Sequence, residues 1–191
     1  MASITILFVS PDRVKRETSL GGSVDDNVLQ PCILSAQQRW VYPTLGTALY
    51  EKLAKLVEDG HIDNVGNEVY KELLQDYVIP SLVQYAFATA IPVLRVRFVN
   101  NAVVAMNSEQ GSAVSAEDIK PLVAQAEDIG NWFRERLIDW LISRTDIPEL
   151  SSNSFPNLAP SRTNYTQGLN VSYTTDNQDL RALRQLLGIT V

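Results

Sequence analysis

Apolar residues recur at helical spacing through most of the chain, switch to alternation near position 95, and thin out after Ile147. The stretch from Glu68 to Leu94 sets the frame. Val69, Tyr70, Leu73, Leu74 and Tyr77 fall three or four residues apart, the spacing of one helix face. From Val78 to Leu94 there is no charged residue. A helix that is apolar on every side must be enclosed by protein or by lipid. This run is shorter than the roughly 20 residues that cross a bilayer, and Pro80, Ser81, Gln84, Thr89 and Pro92 interrupt it. The expectation is the central helix of a soluble bundle, kinked at Pro80 and ending near Pro92.

Upstream, Ile4 to Val9 suits an extended segment. Ser10-Pro11-Asp12 then opens a short helix, with Ser as N-cap, Pro in the first turn and an acid near the positive end; Val14 faces inward. Asp25-Asp26 starts the next helix, whose buried face is Val28, Leu29, Cys32, Ile33, Ala36 and Trp40. Tyr42-Pro43 is expected to break it. Thr47 is expected to cap a helix carrying Ala48, Leu49, Leu53, Leu56 and Val57, followed by a polar loop from Asp59 to Asn67.

Past Pro92 the period shortens. Arg95 to Val99 alternates, Asn100-Asn101 offers turn chemistry, and Ala102 to Met106 is apolar, which predicts a β-hairpin or extended arm at about 93–107. A lone two-stranded hairpin is marginal in water, so it should pack on the bundle or pair with another chain. Ser115-Ala116-Glu117-Asp118 resembles a capping box and opens a long helix to about Arg144. Its stripe is Ile119, Leu122, Val123, Ala126, Ile129, Phe133, Leu137, Trp140 and Leu141, weakened at Pro121 and Gly130. After Ile147, Ser, Asn, Pro and Thr dominate. Within that tail Leu169, Val171 and Tyr173 alternate with polar residues, and Asp176 caps a short leucine-bearing helix with Leu180, Leu183, Leu186 and Leu187. The fold class expected is mainly α: a helical bundle with a small arm over residues 1–146, and an extended C-terminal tail over 147–191 that orders only on assembly.

Composition narrows function by exclusion. The chain has 191 residues and a net charge of −6, with a pI of about 4.8. An acidic balance disfavours gripping nucleic acid by phosphate neutralisation, yet suits a wall along which DNA slides. A single cysteine, Cys32, excludes an internal disulfide framework. No basic residues precede the short apolar Ile4–Val9 run, so no signal peptide is expected. Chemistry is sparse. His61 is the sole histidine and sits in a polar loop. Counting from Asp59, a calcium loop would need Gly and Glu where Asn64 and Tyr70 stand. No phosphate loop, nucleophile elbow or paired Cys/His cluster occurs, so no catalytic residue, metal or cofactor is expected. Arg95 and Arg97 would project from one side of the arm beside Phe98, either as a charged protected edge or as a partner contact. With Leu169, Val171, Tyr173, Leu180, Leu183, Leu186 and Leu187 they form the candidate assembly interface.

Several stretches then fall in a recognisable order: Leu7-Phe8-Val9-Ser10-Pro11-Asp12-Arg13-Val14-Lys15; Val24-Asp25-Asp26; Ile33 to Gln37; Leu45-Gly46-Thr47-Ala48-Leu49-Tyr50-Glu51-Lys52-Leu53; Tyr70-Lys71-Glu72-Leu73-Leu74; and Phe133-Arg134-Glu135-Arg136-Leu137. Over about residues 4 to 145 the chain resembles the head-to-tail connector (adaptor or ring) proteins of tailed bacteriophages, especially those of Bacteroidetes and crAss-like phages. The Leu45–Leu53 run is the most specific part, and it is a packing signature. Pro121 and the tail after Ile147 are not part of the pattern. The resemblance implies a virion structural subunit, made in the host cytoplasm. It would form a ring, dodecameric by expectation, below the portal and around the DNA channel. Its partners would be its own copies, the portal protein, other neck or tail proteins, and DNA passing without sequence-specific binding; no membrane, cofactor or catalysis is implied. The alternative from the residues alone is a non-enzymatic helical protein-interaction or regulatory module.

Overall fold

The computed structural model describes residues 6–21, 24–99, 102–105 and 116–151, and over these the protein is mainly helical. Ser10 Oγ accepts from the Arg13 amide and Pro11 opens α1 (Pro11–Glu17), which seats Val14 in the core. The Asp25 carboxylate caps α2 (Asp26–Ala36) by accepting from the Asn27 amide at 2.9 Å. Leu29, Cys32, Ile33 and Ala36 form its buried face, as their spacing requires. Ile6 and Leu7, before α1, have no regular structure.

The second helix does not break at Tyr42-Pro43. It widens to π geometry over Gln37–Val41, continues as α3 (Tyr42–Leu45), and stops at Gly46. Pro43 lacks an N–H, and its ring would strike the carbonyl four residues back. A π turn just ahead accommodates that mismatch. The true break needs Gly46, whose φ of 79° and ψ of 169° fall where only glycine is comfortable. Gly46, not Thr47, is therefore the N-cap of α4 (Thr47–Glu58), and Thr47 is buried. Leu49, Leu53 and Leu56 face the core.

The central stretch is one helical run: α5 (Glu68–Glu72), a π segment (Leu73–Val78) and α6 (Ile79–Arg95). Again the π turns end two residues before a proline, here Pro80. Pro92 does not end α6, which runs on to Arg95. Proline's fixed φ is itself helical, and less than one further turn follows it. Leu73, Val78, Leu82, Val83, Tyr85 and Ala90 are among its fully buried residues. Backbone strands β1 (Val96–Val99) and β2 (Ala102–Ala105) then run antiparallel, Val96 opposite Ala105 and Val99 opposite Ala102.

The long helix α7 (Ala116–Ser143) packs along α6, with α2 on that helix as well. A Cβ on Gly130 would lie 2.9 Å from the Tyr85 ring, so bare backbone is what lets α7 approach there. Tyr85 also stacks on Trp40 at 4.5 Å and donates its hydroxyl to Asn131 Oδ1 at 2.7 Å. Only part of the α7 stripe is covered. Ala126, Leu137, Trp140 and Leu141 are buried, whereas Leu122 and Ile129 are exposed. Ile147 is buried in the core, and Pro148–Ser151 forms a 3-10 turn against α4. The helical body thus extends to Ser151 at least, past the boundary expected at 146/147. Residues 152–191, which carry the strand-like and leucine-bearing segments, lie outside the described residues.

Candidate assembly surface

Of the residues singled out in the sequence, Arg95 closes α6, and Arg97 and Phe98 lie in β1 opposite Val104 and Val103. Because β1 starts at Val96, Arg95 is a helical residue, and the period-two placement that would put it beside Arg97 does not apply. Leu169, Val171, Tyr173, Leu180, Leu183, Leu186 and Leu187 lie outside the described residues.

The structure instead brings the signature stretches together at Gln37, the last residue of one of them. Gln37 is fully buried. Its Oε1 accepts from the Phe8 amide at 2.9 Å, and its Nε2 donates to the Ile6 carbonyl at 2.9 Å and the Tyr50 hydroxyl at 2.7 Å. One side-chain amide thereby satisfies the backbone of the N-terminal segment as a neighbouring strand would. Tyr50 also accepts from Gln38 Nε2 at 2.9 Å, and its ring meets Phe8 at 5.1 Å and Tyr42 at 4.9 Å. Burial raises the Tyr50 hydroxyl above its usual pKa, against the pull of the two glutamine hydrogen bonds. A signal for Gln37 existed: it stands four residues after Ile33, on the buried stripe of α2.

A second node ties α7 to the central run. Trp140 Nε1 donates to Glu72 Oε1 at 3.2 Å, and Arg144 reaches Glu72 Oε2 at 3.2 Å while lying 4.4 Å from the Trp140 ring. Arg134 Nε donates to Thr44 Oγ1 at 2.9 Å, which in turn donates to the Trp40 carbonyl. Tyr70 donates to Glu149 Oε2 at 2.8 Å. Burial first, and the Glu149 carboxylate second, push the Tyr70 hydroxyl up to about 12. Burial likewise raises the Cys32 thiol, which donates to the Val28 carbonyl and is a core group.

Among the described residues outside these nodes, two exposed surfaces stand out. Trp132 is 58% exposed; Arg136 sits over its ring at 5.2 Å and over Tyr77 at 5.8 Å, and Phe133 meets it edge-on at 5.0 Å. Aromatic residues and arginine are the types that anchor protein interfaces. The other is an apolar groove between the end of α6 and the start of α7, bounded by Phe87, Ile91, Leu122 and Ile129. Among the described residues no three His, Cys, Asp or Glu side chains gather as a metal site. The run Glu68–Leu94 is long and apolar enough to cross a membrane by length and composition, and half of its most apolar window is buried inside the protein.

Over the described residues the protein is mainly helical, and Gln37, Glu72, Arg134 and Tyr70 are polar side chains that join its elements. By sequence it is placed more narrowly: residues 41–161 match a family of unknown function, DUF6712, and the chain belongs to that family. No curated protein and no solved structure matches the chain.

Proposed function

We propose that the chain is a non-enzymatic structural subunit of a phage head-to-tail connector. It forms a ring, dodecameric by expectation, below the portal and around the DNA channel, joining capsid to tail. The observation that carries the reading is the ordered set of packing stretches from Leu7 to Leu137. Leu7–Lys15, Ile33–Gln37 and Leu45–Leu53 converge on Gln37 and Tyr50, so the resemblance rests on residues that build one core. On this reading β1 and β2 are the base of an arm. Arg95, Arg97 and Phe98 are its contacts, and the tail beyond Ser151 adds others through Leu169, Val171 and Tyr173. Trp132 with Arg136 is a lateral contact between copies. The acidic balance suits a channel that DNA passes without being held. The subunit is made in the host cytoplasm and resides in the virion at the head–tail junction, with the portal and other neck or tail proteins as neighbours.

Electron microscopy of the purified protein, alone and mixed with the portal protein of the same phage, tests this directly. Rings, or ring density added beneath the portal, are the expected result. Native virions that lack this chain at the head–tail junction would sink the reading.

A further inference from the structure

The uncovered part of α7 leaves a groove of about 420 Å³ against the last turns of α6. Phe87, Ile91 and Leu94 form one wall, and Leu122 and Ile129 the other. Among the described residues its polar lining is Ser19, Gln84 and Gln125, none of them charged. Its size falls in the range of roughly 300–1,000 Å³ typical of sites that enclose an apolar ligand. A trough between two helices whose described lining is apolar and uncharged suits the apolar face of a third helix, entered through anchors at i, i+3 and i+7. The chain itself carries such a sequence. Leu180, Leu183 and Leu187 stand at those intervals, Leu186 widens the stripe, and Arg181 and Gln185 fall on the opposite face. Asp176 stands at a cap position and Gly188 follows the last leucine.

We infer that this terminal segment of the same copy seats its leucines in the groove. Reach supports the same copy over a neighbour. The described chain ends at Ser151, close to Tyr70, which bonds Glu149. Phe87 and Ile91 lie 17 and 21 residues beyond Tyr70 on one helical run, so the groove is about 26–32 Å away at the helical rise. The linker from Ser151 to Leu180 is 29 residues, with a single Gly and two Pro in it; a Gly-rich chain of that length would average about 27–32 Å and a stiffer one more, so the linker covers the span with slack. A tether that covers the span holds its end at a high effective concentration, up to the millimolar range, which falls only slowly with extra length. At micromolar protein the chain's own segment therefore wins over a second copy's or a dilute apolar ligand. This revises the sequence-based expectation for that segment: the groove provides burial before any assembly takes place.

The test uses the full chain carrying Leu122→Cys together with Leu183→Cys. Cys32 is retained, because it is buried and its thiol pKa is raised. Under a mild oxidant at micromolar protein, the intramolecular disulfide should form about tenfold faster or more than in the control pair Leu122→Cys with Gln185→Cys, whose second site faces away. Independently, a chain truncated after Thr175 should bind an apolar dye more strongly than the full chain, and Ile129→Asp should remove the excess. Equal disulfide rates in the two pairs, disulfides only between copies, or equal dye binding by full and truncated chains each overturn the inference. The dye comparison keeps the native residues, so it decides the matter even if a cysteine variant fails to fold. Ring formation has its own test in electron microscopy and can hold whichever way the groove result falls; disulfides formed only between copies would assign these leucines to the assembly contact instead.

Discussion

Gln37 shows how much one buried amide can organise. It answers the Phe8 amide, the Ile6 carbonyl and the Tyr50 hydroxyl at once. A buried polar group that loses its partner costs about 1–3 kcal/mol. Gln37→Leu should therefore lower unfolding free energy by about 2–4 kcal/mol, and Tyr50→Phe by about 1 kcal/mol, in denaturant melts. The tryptophans sort by burial. Trp140→Ala should cost about 3–5 kcal/mol, while Trp132→Ala should cost far less, since its ring is mostly exposed. Tyr70 makes a pH prediction. Its folded pKa of about 12 exceeds the ordinary 10.0, so the hydroxyl's contribution is intact below pH 10 and fades as pH climbs toward 12. Tyr70→Phe removes that hydroxyl, so the stability difference between wild type and variant should shrink over this window. A constant difference from pH 9 to 12 would contradict the assignment.

At the scale of elements, prolines and one glycine decide where helices bend and stop. Both π segments end two residues before a proline, at Pro43 and Pro80, where the ring obstructs an ordinary α turn. Pro43 therefore does not end the second helix. The chain absorbed Pro43 by widening and broke at Gly46 instead. Gly46→Ala should destabilise by about 1–3 kcal/mol, because φ of 79° with ψ of 169° is closed to a side chain; calorimetry would show it as a lowered midpoint. Gly130→Ala acts differently. Its backbone tolerates alanine, but the new methyl meets the Tyr85 ring, and overpacking of this kind costs about 1–3 kcal/mol.

At the scale of the molecule, the features that remain open are outward-facing. In the connector reading Trp132 and Arg136 join copies, so Trp132→Ala should leave the subunit's melt almost unchanged and weaken or abolish ring density in micrographs. Duplex DNA should bind weakly at physiological salt. A tight complex with a steep salt slope would contradict a sliding wall. The charge of −6 concerns partners and solubility, and says little of the fold.

The helical character, the cap at Ser10, the start of α2 at Asp25-Asp26, most of the buried faces of α2 and α4, and the position of the central run are legible in the sequence alone. These follow from local rules: a 3.6-residue period, a capping side chain, a run without charge. The sequence also supplies the order of stretches on which the connector resemblance rests. It takes the packed fold to show that Gln37 is an internal clamp, that Gly130 admits Tyr85, that Arg95 belongs to a helix, and that Ile147 still lies in the core. Each of these depends on which element lies opposite, and periodicity along one chain segment carries no record of its neighbour. The same reason hid the groove: Leu122 and Ile129 share a stripe with Leu137 and Leu141, and only the packing of α6 along α7 decides which of them are covered.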